Sequence, residues 1–214
     1  MPRKTVFTAD DVVQAAFDLV RKKGLAGLSA PAVAEKMGCS TMPIYSHFKN
    51  MQALEDEVVK RAWNQVRVYQ AKTFTGDIWV DQAVGYICFA RDEPHLFKSM
   101  LDGRNQELKF RMNRLHWEEL GELLEAYPAF KGLDEERIAR IRYTRAMLSN
   151  GIATAAKIGL NKLFIENDQL LSRFIRDASR AILSGYRDMA PLSGEERRLM
   201  EKRLKEIRDA SEMK

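Results

Sequence analysis

Apolar positions recur at helical spacing along almost the whole chain, and the alternation that marks strands is nearly absent. Val12, Val13, Ala16, Phe17 and Val20 line one face of a first helix. Thr8 can cap it, with Asp11 three residues on in a capping-box arrangement. Phe7 and Val12 stand at the staple positions, while Lys22, Lys23 and Gly24 suit its end. The pattern predicts a helix from about Ala9 to Lys23. Ser29 is the next expected N-cap, with Pro31 tolerated in the first turn. That helix runs to about Met37 and stops at Gly38. Ser40 is expected to cap a third helix through about Phe48. Asn50 then opens a long fourth helix through Leu54, Val58 and Ala62 to about Gln70.

Beyond Thr75-Gly76 longer amphipathic patterns follow, punctuated by Pro94, Gly103, Pro128, Gly132 and Pro191. Helices are expected at about 77–92, 94–101, 104–126, 134–159, 167–189 and 194–210. No repeat, low-complexity tract or long linker interrupts them. The fold class is therefore all-α. A three-helix N-terminal unit, residues 1–50, precedes a larger helical bundle, residues 51–214, with the fourth helix at about 50–70 as the connection.

Composition narrows the class. The chain has 214 residues, 45% hydrophobic and 30% charged, which is a globular balance. Its longest stretch free of Asp, Glu, Lys and Arg, Met37 to Phe48, is too short to span a bilayer. The N-terminus has no apolar signal region, so a cytoplasmic protein without membrane partners is expected. Cys39 and Cys88 lie far apart and suggest neither a disulfide framework nor a metal site. His47, His95 and His116 fall in three separate segments, and no HExxH, Walker loop or GxSxG occurs. Neither an enzyme nor a cofactor is expected. The net charge of +5 is compatible with nucleic acid without requiring it.

The segment Ser29 to Phe48 holds two short helices joined by a tight turn. Ala34 is small where the helices approach, and Gly38 suits a left-handed turn. Val33, Met37, Ile44 and Phe48 can pack on the first helix. This is a helix-turn-helix arrangement, whose second helix can enter a major groove. Val33-Ala34, Gly38-Cys39-Ser40, Ile44-Tyr45, His47-Phe48-Lys49-Asn50 and Ala53-Leu54 together resemble the TetR family of bacterial regulators. The resemblance covers about residues 8–60.

That resemblance implies contacts with a double-stranded DNA operator. Ser40 opens the recognition helix, and Thr41, Met42 and Pro43 face the base edges. Ser29, Tyr45, His47 and Lys49 match positions that hold phosphates. His47 suits either a phosphate contact or a structural hydrogen bond. Cys39 stands where the family usually has Val and is read as packing. Pro43 departs from the pattern inside the first turn of the recognition helix. Residues 1–50 carry seven Lys and Arg against four Asp and Glu, a balance of +3, but 40–48 carry no formal charge. A moderate salt dependence of DNA binding is expected.

The resemblance also implies a homodimer and a small-molecule effector. Ile152, Phe174, Ala178, Ile182, Gly185 and Tyr186 are the expected dimer face, although the same positions would serve an intrachain core. Trp79, Tyr86, Phe89, Phe97, Met100, Phe110, Trp117, Tyr143 and Met147 are the expected pocket, although each serves plain core packing more readily than ligand contact. Arg104, Arg111, Arg142 and Arg145 could pair an anionic ligand if turned inward. The function implied is a repressor that leaves a palindromic operator when effector binds. The alternatives are an effector-independent or activating DNA-binding member, and a helical ligand-binding protein that does not bind DNA.

Overall fold

The computed structural model describes residues 7–102, 104–157, 165–199 and 201–202. Local chemistry fixes the first elements. Thr8 closes the capping box with Asp11 and starts α1, Ala9–Lys23. The Ser29 hydroxyl accepts the Ala32 N–H at the start of α2, Ala30–Met37. Gly38 ends α2 in the left-handed region at φ 66°, a conformation that suits glycine. The third helix, α3, spans only Met42–His47. Ser40 does not cap it, against expectation; Thr41 is the cap residue and makes no side-chain cap bond. The reason is Pro43: it has no N–H where a Ser40 hydroxyl would seek one. Asn50 caps α4, Met51–Gln70, by accepting the Ala53 N–H at 2.9 Å.

The remaining helices are α5 (Ile78–Asp92), α6 (Pro94–Asp102), α7 (Gln106–Glu122), α8 (Glu135–Lys157) and α9 (Asp168–Asp188). Short 3-10 turns lie at Leu25–Gly27 and Pro128–Phe130. The helix expected at about 104–126 is shorter at both ends. Asn105 supplies the capping oxygen, so the helix begins at Gln106, and the chain turns after Glu122 toward Pro128. Helical residues also occur at 194–199 and 201–202. The ends of the helices expected at 134–159 and 194–210 reach beyond the described residues.

Helix α5 is the axis of the molecule. From Trp79 to Ala90 only Tyr86 escapes full burial. A helix apolar on all sides must be covered on all sides, and α4, α6, α8 and α9 cover it. Gly85 permits the closest approach, because a Cβ there would collide with the Tyr69 carbonyl of α4. Asp81 is buried but satisfied: it accepts the Thr75 N–H at 2.8 Å, the Thr75 hydroxyl at 2.7 Å and the Gly76 N–H at 3.1 Å. These bonds hold the α4–α5 connection in place.

One apolar cluster runs from Val12 and Phe17 of α1, through Val33 and Ile44, along Leu54 to Val66 of α4, and on to Phe89, Phe97 and Ile175. The N-terminal helices and the bundle thus share a core. A second, smaller cluster gathers Trp79, Leu124, Phe130 and Ile141.

His116 of α7 stacks on Trp63 of α4, with ring centroids 5.2 Å apart. Both ring nitrogens are buried without a hydrogen-bond partner among the described residues, and the Glu119 carboxylate is 3.9 Å away. Burial first, and Arg67 second, push its pKa down to about 4, against the smaller pull of Glu119. The unfolded chain therefore takes up a proton near pH 6.5 that the folded chain refuses until about 4. This contribution is full above pH 6.5 and is lost as pH falls through that window. Urea unfolding at pH 7 and pH 4.5 should show an acid loss, of the order of 2 kcal/mol from this group, that is absent in His116→Phe. An equal pH slope in both proteins would refute the assignment.

Candidate nucleic-acid interface

Helix α3 has two faces. Ile44 and, just beyond the helix, Phe48 are buried at 1% and 9% exposure in the shared core, with α3 packed on α1 and α2. Met42 and Tyr45 point outward at 72% and 54%. Thr41 and Pro43 are half-buried, and Ser40 and Lys49 are exposed. The outward face thus gathers Ser40, Thr41, Met42, Tyr45 and Lys49, with Ser29 at the neighbouring start of α2. It presents hydroxyls, a thioether and one ammonium. The Ser29 oxygen already accepts the Ala32 N–H at 3.3 Å, but its own proton can still be donated to a phosphate.

His47 has a different task. Its Nε2 donates to the Phe7 carbonyl at 2.8 Å, tying the end of α3 to the residue before the α1 cap. Of the two roles left open by the sequence, the structure supplies the structural hydrogen bond. No sequence signal joins positions 40 residues apart.

Some of the charge in this unit is paired within the protein. Lys36 pairs with Asp18 at 3.2 Å, and Arg61 of α4 reaches Asp10 and Gln14 of α1. Arg21 donates through Nε and Nη2 to Glu93, at the junction of α5 and α6. Glu93 is only 6% exposed, so this bond binds the end of α1 directly to the bundle. Paired with Glu93, the Arg21 guanidinium is held above its ordinary pKa. Cys39 is half-buried and Cys88 buried, both as free thiols; burial raises the Cys88 pKa to about 12.

A helix-turn-helix with an exposed recognition helix and an apolar back defines a DNA-binding module. Residues 12–58 match the family described as bacterial regulatory proteins, tetR family. These residues therefore form a DNA-binding domain of the TetR type. Solved structures share its fold. A crystal structure from Pseudomonas aeruginosa PAO1, of a protein assigned as a transcriptional regulator, superposes with a TM-score of 0.55 at 12% identity, covering 85% of this chain and 93% of that one. No curated protein matches the sequence. No described helix is long and apolar enough to cross a membrane.

The residues expected to line an effector pocket do not converge. Trp79, Phe89, Phe97 and Met100 are core, and Tyr86 is half-buried with its hydroxyl donating to Asn150 at 2.8 Å. Tyr86 and Phe89 both pack on Phe97. Trp79 belongs to the second cluster instead. Phe110, Tyr143 and Met147 face outward, at 46%, 60% and 46% exposure. Trp117 lies under Arg142. Aromatic identity does not tell which side of a helix is covered, and here α7 leaves most of its length exposed. A cavity of about 550 Å³ instead lies between Phe74-Thr75 and the Gln169–Arg180 side of α9.

The expected dimer face is also divided. Ile182 and Tyr186 turn inward onto the Trp79 cluster, and Tyr186 shares a 2.8 Å hydrogen bond with Thr144. Both are half-buried, packed against the intrachain core. Ile152 and Ala178 are half-buried, while Phe174 and Gly185 are exposed.

The Arg21–Glu93 bond generates a test. Arg21→Met leaves a buried carboxylate without its cation, at a cost of about 1–3 kcal/mol. Glu93→Gln should cost less, and a double-mutant cycle by urea unfolding should show coupling between them. Strictly additive effects would place no energy in the contact.

Proposed function

We propose that this regulator is a repressor that binds a palindromic operator as a homodimer and is released by a small-molecule effector. Residues 1–50 form the reading unit and 51–214 the dimerisation and effector unit, joined by α4. The observation that carries this reading is the continuous apolar core from α1 through α4 to α5 and α6. With Arg21 clamped to Glu93, a change in the packing around α5 cannot leave the orientation of α1 untouched. Binding of effector and operator is then antagonistic by linkage.

Dimerisation is supported by apolar side chains left exposed at helical spacing. Tyr143 and Met147 lie one turn apart on α8, and Leu170 and Phe174 one turn apart on α9. The two helices pack side by side. Near Gly151 and Gly185 there is open space where a partner helix can approach. A two-fold pairing here places two recognition helices against half-sites about 34–36 Å apart. Met147→Glu should convert a sedimenting dimer to monomer and abolish tight operator binding. A monomeric wild-type protein in the same run would overturn the pairing.

The reading face divides into positioning and specifying groups. Tyr45→Phe and Lys49→Ala should weaken binding evenly across operator sequences, and Lys49→Ala should reduce the salt slope by about one. Thr41→Ala should change sequence preference, by about 1–3 kcal/mol at one base pair. Fluorescence anisotropy against an operator mutant series at several salt concentrations separates these effects. If all three variants act alike, the division is wrong.

A further inference from the structure

We infer that the effector is an aromatic carboxylate, and that Arg142 and Arg145 of α8 together take its anion; this rests on the proposed effector-released mechanism. The two arginines are three residues apart and both turn inward. Each lies over a tryptophan ring, Arg142 on Trp117 at 4.3 Å and Arg145 on Trp79 at 4.0 Å. Each donates to the carbonyl of that same tryptophan, at 2.6 Å and 2.9 Å respectively. Space for Arg142 is made at Gly121 of α7, where a Cβ would lie 2.8 Å from Nη1.

Neither guanidinium has an ion pair with a carboxylate among the described residues. Arg145 is 6% exposed, and its Nε is buried without an acceptor. The Trp79 Nε1 beneath it is orphaned in the same way. The carboxylate whose charge acts on Arg145 is that of Asp77. That carboxylate is already engaged: it caps α5 at the Trp79 and Val80 N–H groups and accepts the Tyr127 hydroxyl. The second inward cation, Arg142, adds repulsion to the burial that opposes Arg145's charge.

Two inward cations one helical turn apart on α8, one of them with an unspent donor, are costly in a poorly solvated place unless an anion joins them. A carboxylate supplies the missing acceptors in the planar geometry that a guanidinium matches. The surroundings specify the rest of the ligand. Trp79, Tyr127 and Phe130 form an aromatic group, with ring centroids 5.1–6.2 Å apart. Tyr127 and Phe130 are carried by the short turn around Pro128–Phe130. A flat ring would take the place of these side chains on Trp79 when the turn moves aside.

The test uses the full-length protein with benzoate, phenylacetate and 1-naphthoate as probes. Benzamide is the neutral control, and sodium chloride matches the ionic strength. At least one carboxylate should raise the Tm saturably, by roughly 5–10 °C at a hundredfold excess over its Kd. Benzamide should not. Arg145→Met should weaken that carboxylate at least tenfold, while the unliganded variant melts no lower than wild type, since an unpaired buried cation has been removed. Arg142→Met, at the better solvated edge, is read in the same way if Arg145→Met does not fold. The inference is overturned if no carboxylate shifts the Tm, if benzamide acts equally, or if the variants that fold bind as tightly as wild type. Operator binding is followed in the same titrations. Arginine-dependent carboxylate binding that leaves operator affinity unchanged keeps the anion site and sinks its role as effector site. Release of operator by a carboxylate with equal potency in the arginine variants keeps effector release and sinks the anion site.

Discussion

The burial of α5 constrains everything around it. A helix that hides nearly every residue from Trp79 to Ala90 has no solvent face to spare, so its neighbours must enclose it. Gly85 draws α4 in until backbone meets backbone. Asp81, fully bonded to Thr75 and Gly76, fixes how the chain leaves α4 to begin α5. Because α4 and α6 also pack on α1, the N-terminal unit is built onto this axis rather than hung from a linker. Close-packed interiors transmit small displacements instead of absorbing them, which is why a shared core is the natural route between a ligand and a reading helix.

The parts of this arrangement legible in the sequence are those set by local chemistry. The extents of α1, α2 and α4 follow from Thr8, Ser29, Gly38 and Asn50, each of which acts on backbone groups within a few residues. Helix α3 was less legible because Pro43 removes a donor and so undoes the cap that Ser40 suggests. The link from His47 to Phe7 and the bond from Arg21 to Glu93 join residues 40 and 72 positions apart, and no spacing rule reaches that far. In the bundle, amphipathic spacing separates the faces of a helix but does not say which neighbour covers them. Ile182 and Tyr186 fit a partner's surface as well as their own chain's core, and the core takes them.

The outward face of the helix-turn-helix is poor in charge, and cations near it are engaged elsewhere. Lys36, Arg21 and Arg61 are committed to Asp18, Glu93 and Asp10. Helix α3 itself carries no formal charge, so its outward side offers Met42 and Tyr45, with Thr41 just before it and Lys49 just after. On the proposed reading, such a surface would be positioned by few charged contacts and would distinguish bases by one hydroxyl and by apolar contact with thymine methyl groups. Sequence-dependent DNA shape would then carry much of its selectivity.

The buried charges show where the molecule is complete and where it is not. Asp81 has three donors, and Glu93 has the Arg21 fork. Glu55, also buried, accepts the Arg104 N–H at 3.3 Å. Each buried acid is matched with donors as an interior charge requires. Arg145 breaks the pattern: a cation as deeply buried as these acids, it has one carbonyl, a tryptophan face and another arginine for company. If the site served stability alone, a hydrophobic side chain of similar volume would do as well or better. The same helix whose outer face carries Tyr143 and Met147 therefore places its unmatched charge inward, beside the start of α5, on the axis to which α1 is bound.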